Sequence, residues 1–234
     1  MRKIIALLFV LVLCLGAASA LAEQTISVTG TGETLVTADT AVVSVGVNVR
    51  KKDALEAQSG ANEVIAAIRA ALTAAGFNEE DISTGYINLY AVYDYSKDVE
   101  EIIAYNASSS LAVKVTDMAR VGEVIDLAFG AGANTLDGVS FSVADESAAR
   151  AESLKAAVAE AKEKAAVLAE AAGLGEIEIE SIQEGNVYSY DSGVNNFSRK
   201  AGASEDAEFE MASTVVRAAK ICVSASVTVT FKVK

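Results

Sequence analysis

An α+β fold, with helices packed on one side of a mostly antiparallel sheet, is what this sequence predicts, and three observations predict it. Period-two alternation of apolar residues recurs in well-separated segments, helical periodicity recurs in three others, and no segment repeats another. The order read from them is β-β-α-β-β-α-β-α-β-β, which lacks regular βαβ alternation and so argues against a parallel sheet. Seven strands and two lobes fit that order, although nothing in the residues marks where the lobes divide.

The first segment is not part of the fold. Arg2 and Lys3 precede an apolar run from Ile4 to Leu15, followed by Gly16 and small residues, the three-part pattern of a secretory signal peptide. Ala18-Ser19-Ala20 and Ala20-Leu21-Ala22 both satisfy the small-x-small rule, and the second places cleavage before Glu23, so residues 1–22 are read as the signal. A retained anchor is the rival, because Ile4 to Ala22 carries no charge over 19 residues. Removal of the segment leaves 212 of 234 residues, residues 23–234, and with Arg2 and Lys3 gone the formal charge falls from -13 to -15.

Ile26 and Val28 alternate with polar neighbours, and Ala41, Val43, Val45, Val47 and Val49 hold one face of a second strand. Gly30, Gly32 and Glu33 between them read as a turn or bulge. Gly30-Thr31-Gly32 is only half of a dinucleotide fingerprint, with no third glycine and no helix behind it, and is not read as a nucleotide site. Asp53 with Glu56 resembles a capping box opening a helix that carries Ala61, Ile65, Ile68 and Leu72 and stops at Gly76. Ile87, Leu89, Ala91 and Tyr93 alternate, a polar stretch from Asp94 to Glu101 turns the chain, and Ile103, Tyr105, Leu111, Val113 and Val115 return, which predicts a long hairpin.

Asp117 is read as the cap of a second helix with Val121, Ile125 and Phe129, closed by Gly130 and Gly132, with Val139, Phe141 and Val143 as a short strand behind it. A third helix follows a possible cap at Asp145, its stripe read as Leu154, Val158, Ala161, Ala165, Leu168 and Ala172 up to Gly173. Ile177 and Ile179 form a strand flanked by Glu176, Glu178 and Glu180, which must face water or a partner. Residues 186–214 lack any period and are read as a mobile excursion. The last strand has two faces: Ile221, Val223, Ala225, Val227, Val229, Phe231 and Val233 on one, Lys220, Cys222, Ser224, Ser226, Thr228, Thr230, Lys232 and Lys234 on the other.

Composition narrows function by exclusion. The chain has no histidine, proline or tryptophan, and 19 Lys and Arg face 32 Asp and Glu. A nucleic-acid partner held through phosphates is therefore excluded. Without histidine the usual general base near neutral pH and the commonest zinc ligand are missing, which argues against an enzyme and against a metal site or cofactor. With residues 1–22 removed one cysteine remains, so no internal disulfide forms and stability must come from packing or assembly.

In its motifs and their order the chain resembles the SIMPL-domain family of exported bacterial proteins, some of them linked to oxidative-stress defence. The resemblance spans nearly all of residues 23–234. It is carried by Ile26-Ser27-Val28-Thr29-Gly30-Thr31-Gly32-Glu33, by the helix with Asn62 leading to Gly76, by Asp81-Ile82-Ser83-Thr84, by Tyr105-Asn106-Ala107-Ser108, by the third helix rich in Ala and Lys, and by the alternating terminal strand. The family often has Pro-Asp after the first strand where this chain has Ala38-Asp39, and a proline before the tyrosine where it has Val92-Tyr93. The resemblance implies an α+β fold and a tendency to form large ring- or channel-like oligomers. It implies no catalytic residues.

Candidate functional residues are few. Cys222 is a possible redox thiol or crosslink, against the plainer reading of a small residue standing where serine would serve. Tyr86, Tyr90, Tyr93 and Tyr95 on the hairpin, with Tyr188 and Tyr190 later, are a possible interaction surface, against ordinary strand tyrosines. The acidic groups Asp94, Asp98, Glu100, Glu101 and Glu205, Asp206, Glu208, Glu210 lack the spaced calcium-loop pattern and read as solvated charge. Asn106-Ala107-Ser108 and Asn196-Phe197-Ser198 match the glycosylation pattern and receive no role. The sequence thus points to an exported, periplasmic or extracellular envelope protein, membrane-associated if the signal is retained, non-enzymatic and homo-oligomeric. The alternatives are a monomeric binding module for an envelope protein or the cell wall, and an oxidant scavenger using Cys222.

Overall fold

The computed structural model describes residues 24–94, 100–192 and 214–234. Its strands are β1 (Thr25–Thr37), β2 (Thr40–Lys51), β3 (Ile82–Asp94), β4 (Glu101–Val115), β5 (Thr135–Ser142), β6 (Ile177–Asp191) and β7 (Lys220–Val233), and its helices are α1 (Ala54–Ala74), α2 (Val121–Gly130) and α3 (Ser147–Ala171). The α+β class and the element order are those the periodicities predict. The strands form two sheets rather than one, ordered β1-β7-β6 and β3-β4-β2-β5. The chain divides into two compact units, Met1–Glu33 with Glu152–Val187 and Ala225–Lys234, and Thr34–Ala151 with Tyr188–Ser224. The division falls inside β1, α3, β6 and β7, where no change of composition could announce it.

In the first unit β7 lies between β1 and β6. Val233 N–H donates to the Gln24 carbonyl at 3.0 Å and Lys234 N–H to that of Glu176 at 2.8 Å, which sets both pairs antiparallel. Helix α3 covers one face, and Val28, Val227, Val229 and Phe231 pack with Ala157, Ala161 and Ala165. The stripe that reaches the sheet is Ser153, Ala157, Ala161, Ala165 and Ala169; of the predicted stripe Ala161 and Ala165 lie on it and Leu154 and Val158 flank it, whereas Leu168 is 50% exposed and Ala172 is exposed. The reason lies in β1. Gly30 and Gly32 are not a turn but sit within the strand, and a Cβ on Gly30 would lie 2.0 Å from the Ala157 carbonyl oxygen, one on Gly32 2.1 Å from that of Ser153. The helix backbone rests directly on these glycines, so the positions nearest the sheet must be small.

The outer edge of β1 is occupied by side chains of α3. Glu160 accepts the backbone N–H of Thr31 and, at 3.0 Å, its hydroxyl, while Lys164 Nζ donates to the Thr29 carbonyl at 3.1 Å and pairs with Glu160 at 3.1 Å. A carboxylate and an ammonium thus satisfy the groups a further strand would seek. The Thr31 backbone hydrogen bond, then those from Lys164 and the Thr31 hydroxyl, hold the Glu160 carboxyl below the usual glutamate range. On β6, Glu178 meets Lys232 at 2.9 Å and Lys234 at 3.5 Å, so this strand's acidic groups are partly balanced within the sheet.

In the second unit β4 pairs antiparallel with β3 and β2, and β2 with β5, through registers such as Leu111↔Val45, Leu89↔Ala107 and Val43↔Val139. Helices α1 and α2 cover one face, burying Val43, Val45, Leu111, Val113, Ile68, Leu72, Val121 and Val124 in one cluster. Each such aliphatic side chain contributes about 1.5–3 kcal/mol on burial. Asp53 caps α1 as predicted, accepting from Leu55 N at 2.8 Å and Glu56 N at 3.1 Å, and Gly76 leaves the helix at φ 85°. Asp117 caps a short 3-10 turn, Met118–Arg120, that leads into α2, rather than α2 itself. Arg120 ties the two helices: its guanidinium lies 3.9 Å over the Phe77 ring, donates to the Ala75 carbonyl at 2.8 Å and pairs with Glu123 at 2.7 Å.

Two further expectations are corrected. Residues 186–191 belong to β6, so the predicted excursion begins later; Ser192 N–H still donates to the Lys220 carbonyl at 2.9 Å, and 193–213 lie outside the described residues. Cys222 lies on the alternation predicted to be polar, yet it is 3% exposed and Ser224 is buried too. At this end of β7 both faces are covered, so alternation in polarity does not translate into exposure. Among the described residues no helix is long and apolar enough to cross a membrane.

Candidate functional site

The four-stranded sheet has a second face, away from α1 and α2, and the registers state what lies on it. Directly paired residues share a face, so Asn88, Ser108 and Asn48 form one row across β3, β4 and β2, and Tyr90, Asn106 and Arg50 form the next. One row in the other direction stand Ser110, Gly46 and Thr135. A bulge between Thr84 and Ile87 sets Gly85 and Tyr86 opposite Ser110, and the Tyr86 N–H donates to the Ser110 hydroxyl at 3.2 Å. A second irregularity, between Ser44 and Val45, leaves Asp137 of β5 as the extra residue.

Those two irregularities are joined. The Asp137 carboxylate, on the strand three places away in sheet order, acts on the Tyr86 hydroxyl, so the tyrosine side chain is directed across the sheet toward β5. Partial burial, then the Asp137 charge and the hydrogen bond to it, push the Tyr86 hydroxyl up from its ordinary value. Two rows on, Asn106 Nδ2 donates to the Tyr90 hydroxyl at 2.7 Å. Both rings keep much of their surface open, Tyr86 at 41% and Tyr90 at 49% exposed, whereas Asn106, Ser108 and Ser110 are buried beneath their longer neighbours. The result is a polar floor of amides and hydroxyls with an aromatic ring at each end.

Of the predicted tyrosines, Tyr86 and Tyr90 share this face, and Tyr93 follows a further irregularity after Val92 and pairs with Ile102. Tyr95 and Asp98 lie outside the described residues, as do Glu205, Asp206, Glu208 and Glu210. Tyr188 and Tyr190 stack on β6 with ring centroids 5.9 Å apart. Nothing local marks Asn88, Asn106, Ser108, Asn48 and Asp137 as site residues; their signal in the sequence is the polar alternation Ser44, Gly46, Asn48 and Asn106, Ser108, Ser110 between apolar partners.

A separate groove of about 850 Å³ runs between α1, α2 and the segment before β7, lined by Ala71, Glu123, Asp126, Leu127, Thr214 and Val216. Its carboxylates are engaged: Asp126 accepts the Thr214 hydroxyl at 2.6 Å and its N–H at 3.1 Å, and Glu123 holds Arg120. No nucleophile with an adjacent base appears among these residues. Among the described residues no three Asp, Glu, His or Cys side chains come together as metal ligands.

Residues 26–231 match the family SIMPL, protein of unknown function (DUF541). The chain belongs to the SIMPL family. This SIMPL protein is 35% identical over 155 residues to the 26 kDa periplasmic immunogenic protein of Brucella melitensis, a match covering 64% of this chain and 62% of that protein. It is 30% identical over 140 residues to the uncharacterized protein YggE of Escherichia coli K12, covering 60% of this chain and 57% of that one. The matches thus span about three fifths of the length of these curated relatives.

Proposed function

We propose that this SIMPL protein acts outside the cytoplasm, as a non-enzymatic component of the cell envelope that assembles with copies of itself. Export is supported by the charged, apolar and small-residue order of residues 1–22 and by the periplasmic designation of the Brucella relative. The absence of histidine and the engaged carboxylates favour a role without catalysis. Any contribution to oxidative-stress defence is then indirect, since the Cys222 thiol is buried and direct scavenging through it gains no support.

One observation carries the assembly reading. Strand β3 is a sheet edge of 13 residues, without charge or proline from Ile82 to Val92, and its α1-side residues Ile87 and Leu89 are 63% and 42% exposed. Such an edge invites pairing, and the contrast with β1, whose edge Glu160 and Lys164 occupy, is direct. Ile102 and Ile103 on the adjoining β4 extend the exposed apolar set. Light scattering after size exclusion tests this on residues 23–234. A multiple of the monomer mass is expected, reduced by Ile87→Lys; a strict monomer at micromolar concentration overturns it.

A further inference from the structure

The face bearing Tyr86 and Tyr90 is chemically unlike the apolar edge beside it, and does not depend on assembly. Between the two tyrosines lies the row Asn88, Ser108, Asn48, contributed by three adjacent strands and carrying only amides and a hydroxyl. Four residues of β4 separate the two tyrosine rows, from Ser110 to Asn106, about 14 Å at the rise of an antiparallel strand. Asn88 and Asn48 are exposed. Asp137 stands at the Tyr86 end and Arg50 at the Tyr90 end, with Lys114 farther along β4 on the same face, so the face carries little net charge while the chain as a whole is strongly negative at -13.

We propose that this face binds a neutral oligosaccharide, laid along β3 and β4 with sugar rings against Tyr86 and Tyr90 and hydroxyls against the exposed amides of Asn88 and Asn48. Sugars present apolar ring faces and equatorial hydroxyls together, and aromatic rings flanking amides match both. A protein partner would need an apolar centre, and here the centre is Asn and Ser. Charge chooses among glycans: a polyanionic chain meets the field of a protein at -13, whereas an uncharged one is indifferent to that field. One end of the site is already oriented: Asn106 Nδ2 donates to the Tyr90 hydroxyl at 2.7 Å, leaving that hydroxyl's own proton to donate outward. That ring therefore needs little rearrangement on binding.

The test uses residues 23–234 with chitohexaose, cellohexaose and oligogalacturonate as probes, read by titration calorimetry and by amide chemical shifts. One or both neutral hexamers are expected to bind at millimolar concentration or below, with shifts at Tyr86, Asn88, Tyr90 and Ser108, and the anionic chain is expected not to bind. Tyr90→Ala should weaken binding about tenfold, the loss of one aromatic platform. Tyr90→Phe should keep most of it, and Asn88→Ala should weaken it while far-ultraviolet dichroism stays that of the parent. Native mass should be unchanged in all three. Absence of binding by both neutral hexamers overturns the proposal, as does equal binding by Tyr90→Ala and Asn88→Ala. A fall in native mass on Tyr90→Ala without loss of sugar binding also overturns it, by assigning the face to assembly.

Discussion

Adding one methyl group to the glycine pair of β1 should unseat α3. In Gly30→Ala the new Cβ would lie 2.0 Å from the Ala157 carbonyl oxygen and 2.7 Å from the Ala161 nitrogen, where ordinary contact begins near 3.4 Å. Both obstacles are helix backbone, so no side chain can rotate away, and α3 must retreat by about 1.4 Å. Overpacking of this kind costs about 1–3 kcal/mol by itself. The retreat also opens a gap beneath Ala157, Ala161 and Ala165, and a gap of 0.5–1 Å forfeits about a quarter to a half of each contact. A total near the top of that range, about 3 kcal/mol, is expected. Gly185→Ala in the same unit is the comparison: its Cβ first meets the Ser226 hydroxyl at 2.5 Å, which can turn aside on giving up its hydrogen bond from Asn186 N–H, and its nearest backbone atom is the Ser226 carbonyl oxygen at 3.1 Å, so its cost should be smaller. Urea unfolding followed by dichroism gives the loss, and amide exchange along 153–169 locates it. A Gly30→Ala protein that loses less than about 1 kcal/mol and keeps α3 protected would refute the close-approach argument.

Further outcomes test other parts of the structure. Ser109 faces the core between Ala107 and Leu111, and its hydroxyl is buried with no hydrogen-bond partner among the described residues; Ser109→Ala should raise the urea midpoint by an amount worth about 1 kcal/mol, and a destabilisation would show that the hydroxyl has a partner. The Glu160 carboxyl is held below its ordinary value by Thr31 and Lys164, so the stability it contributes is present above the unfolded glutamate value and is lost as pH falls through the lowered folded one. Protection of the Thr31 amide should accordingly decline on acidification through that window, while Glu160→Gln should show weaker protection with little pH dependence; identical profiles would exclude this carboxylate as the cover of the β1 edge.

Much of the second unit is legible along the chain because its signals are local. Asp53, Gly76 and the Val43, Val45, Val47 alternation each act through their own neighbours, and the structure places them as cap, stop and core strand. The same holds for the hairpin from Ile82 to Val115, whose strands pair over nearly their full predicted length. Gly30 and Gly32 are different. A glycine pair between alternating residues reads as a turn, and only the nearness of Ala157 and Ser153, more than 120 residues later, reveals that it seats a helix. The error on the α3 stripe follows from that one, since large residues are the usual guide to a buried face and here the buried positions had to be small.

The site was half visible. Tyr86 and Tyr90 stand out as aromatic residues on a strand, but the residues between and across from them come from β2, β4 and β5, and their register depends on two irregularities that no local pattern announces. Cys222 shows the same limit, its polar alternation being closed over at that end of β7.

By itself, then, the sequence determined the α+β class, the order of its elements, the leader-like opening and the poverty of catalytic groups, because composition and periodicity are properties of adjacent residues. Only the tertiary structure decided that the strands divide into two sheets, that glycines of β1 carry α3, that the β1 edge is capped by charges while β3 presents an uncharged edge from Ile82 to Val92, and that two tyrosines bracket a polar floor. Those features arise where residues distant in the chain meet, and the free energy of such meetings depends on backbone separation and register, which no single segment specifies.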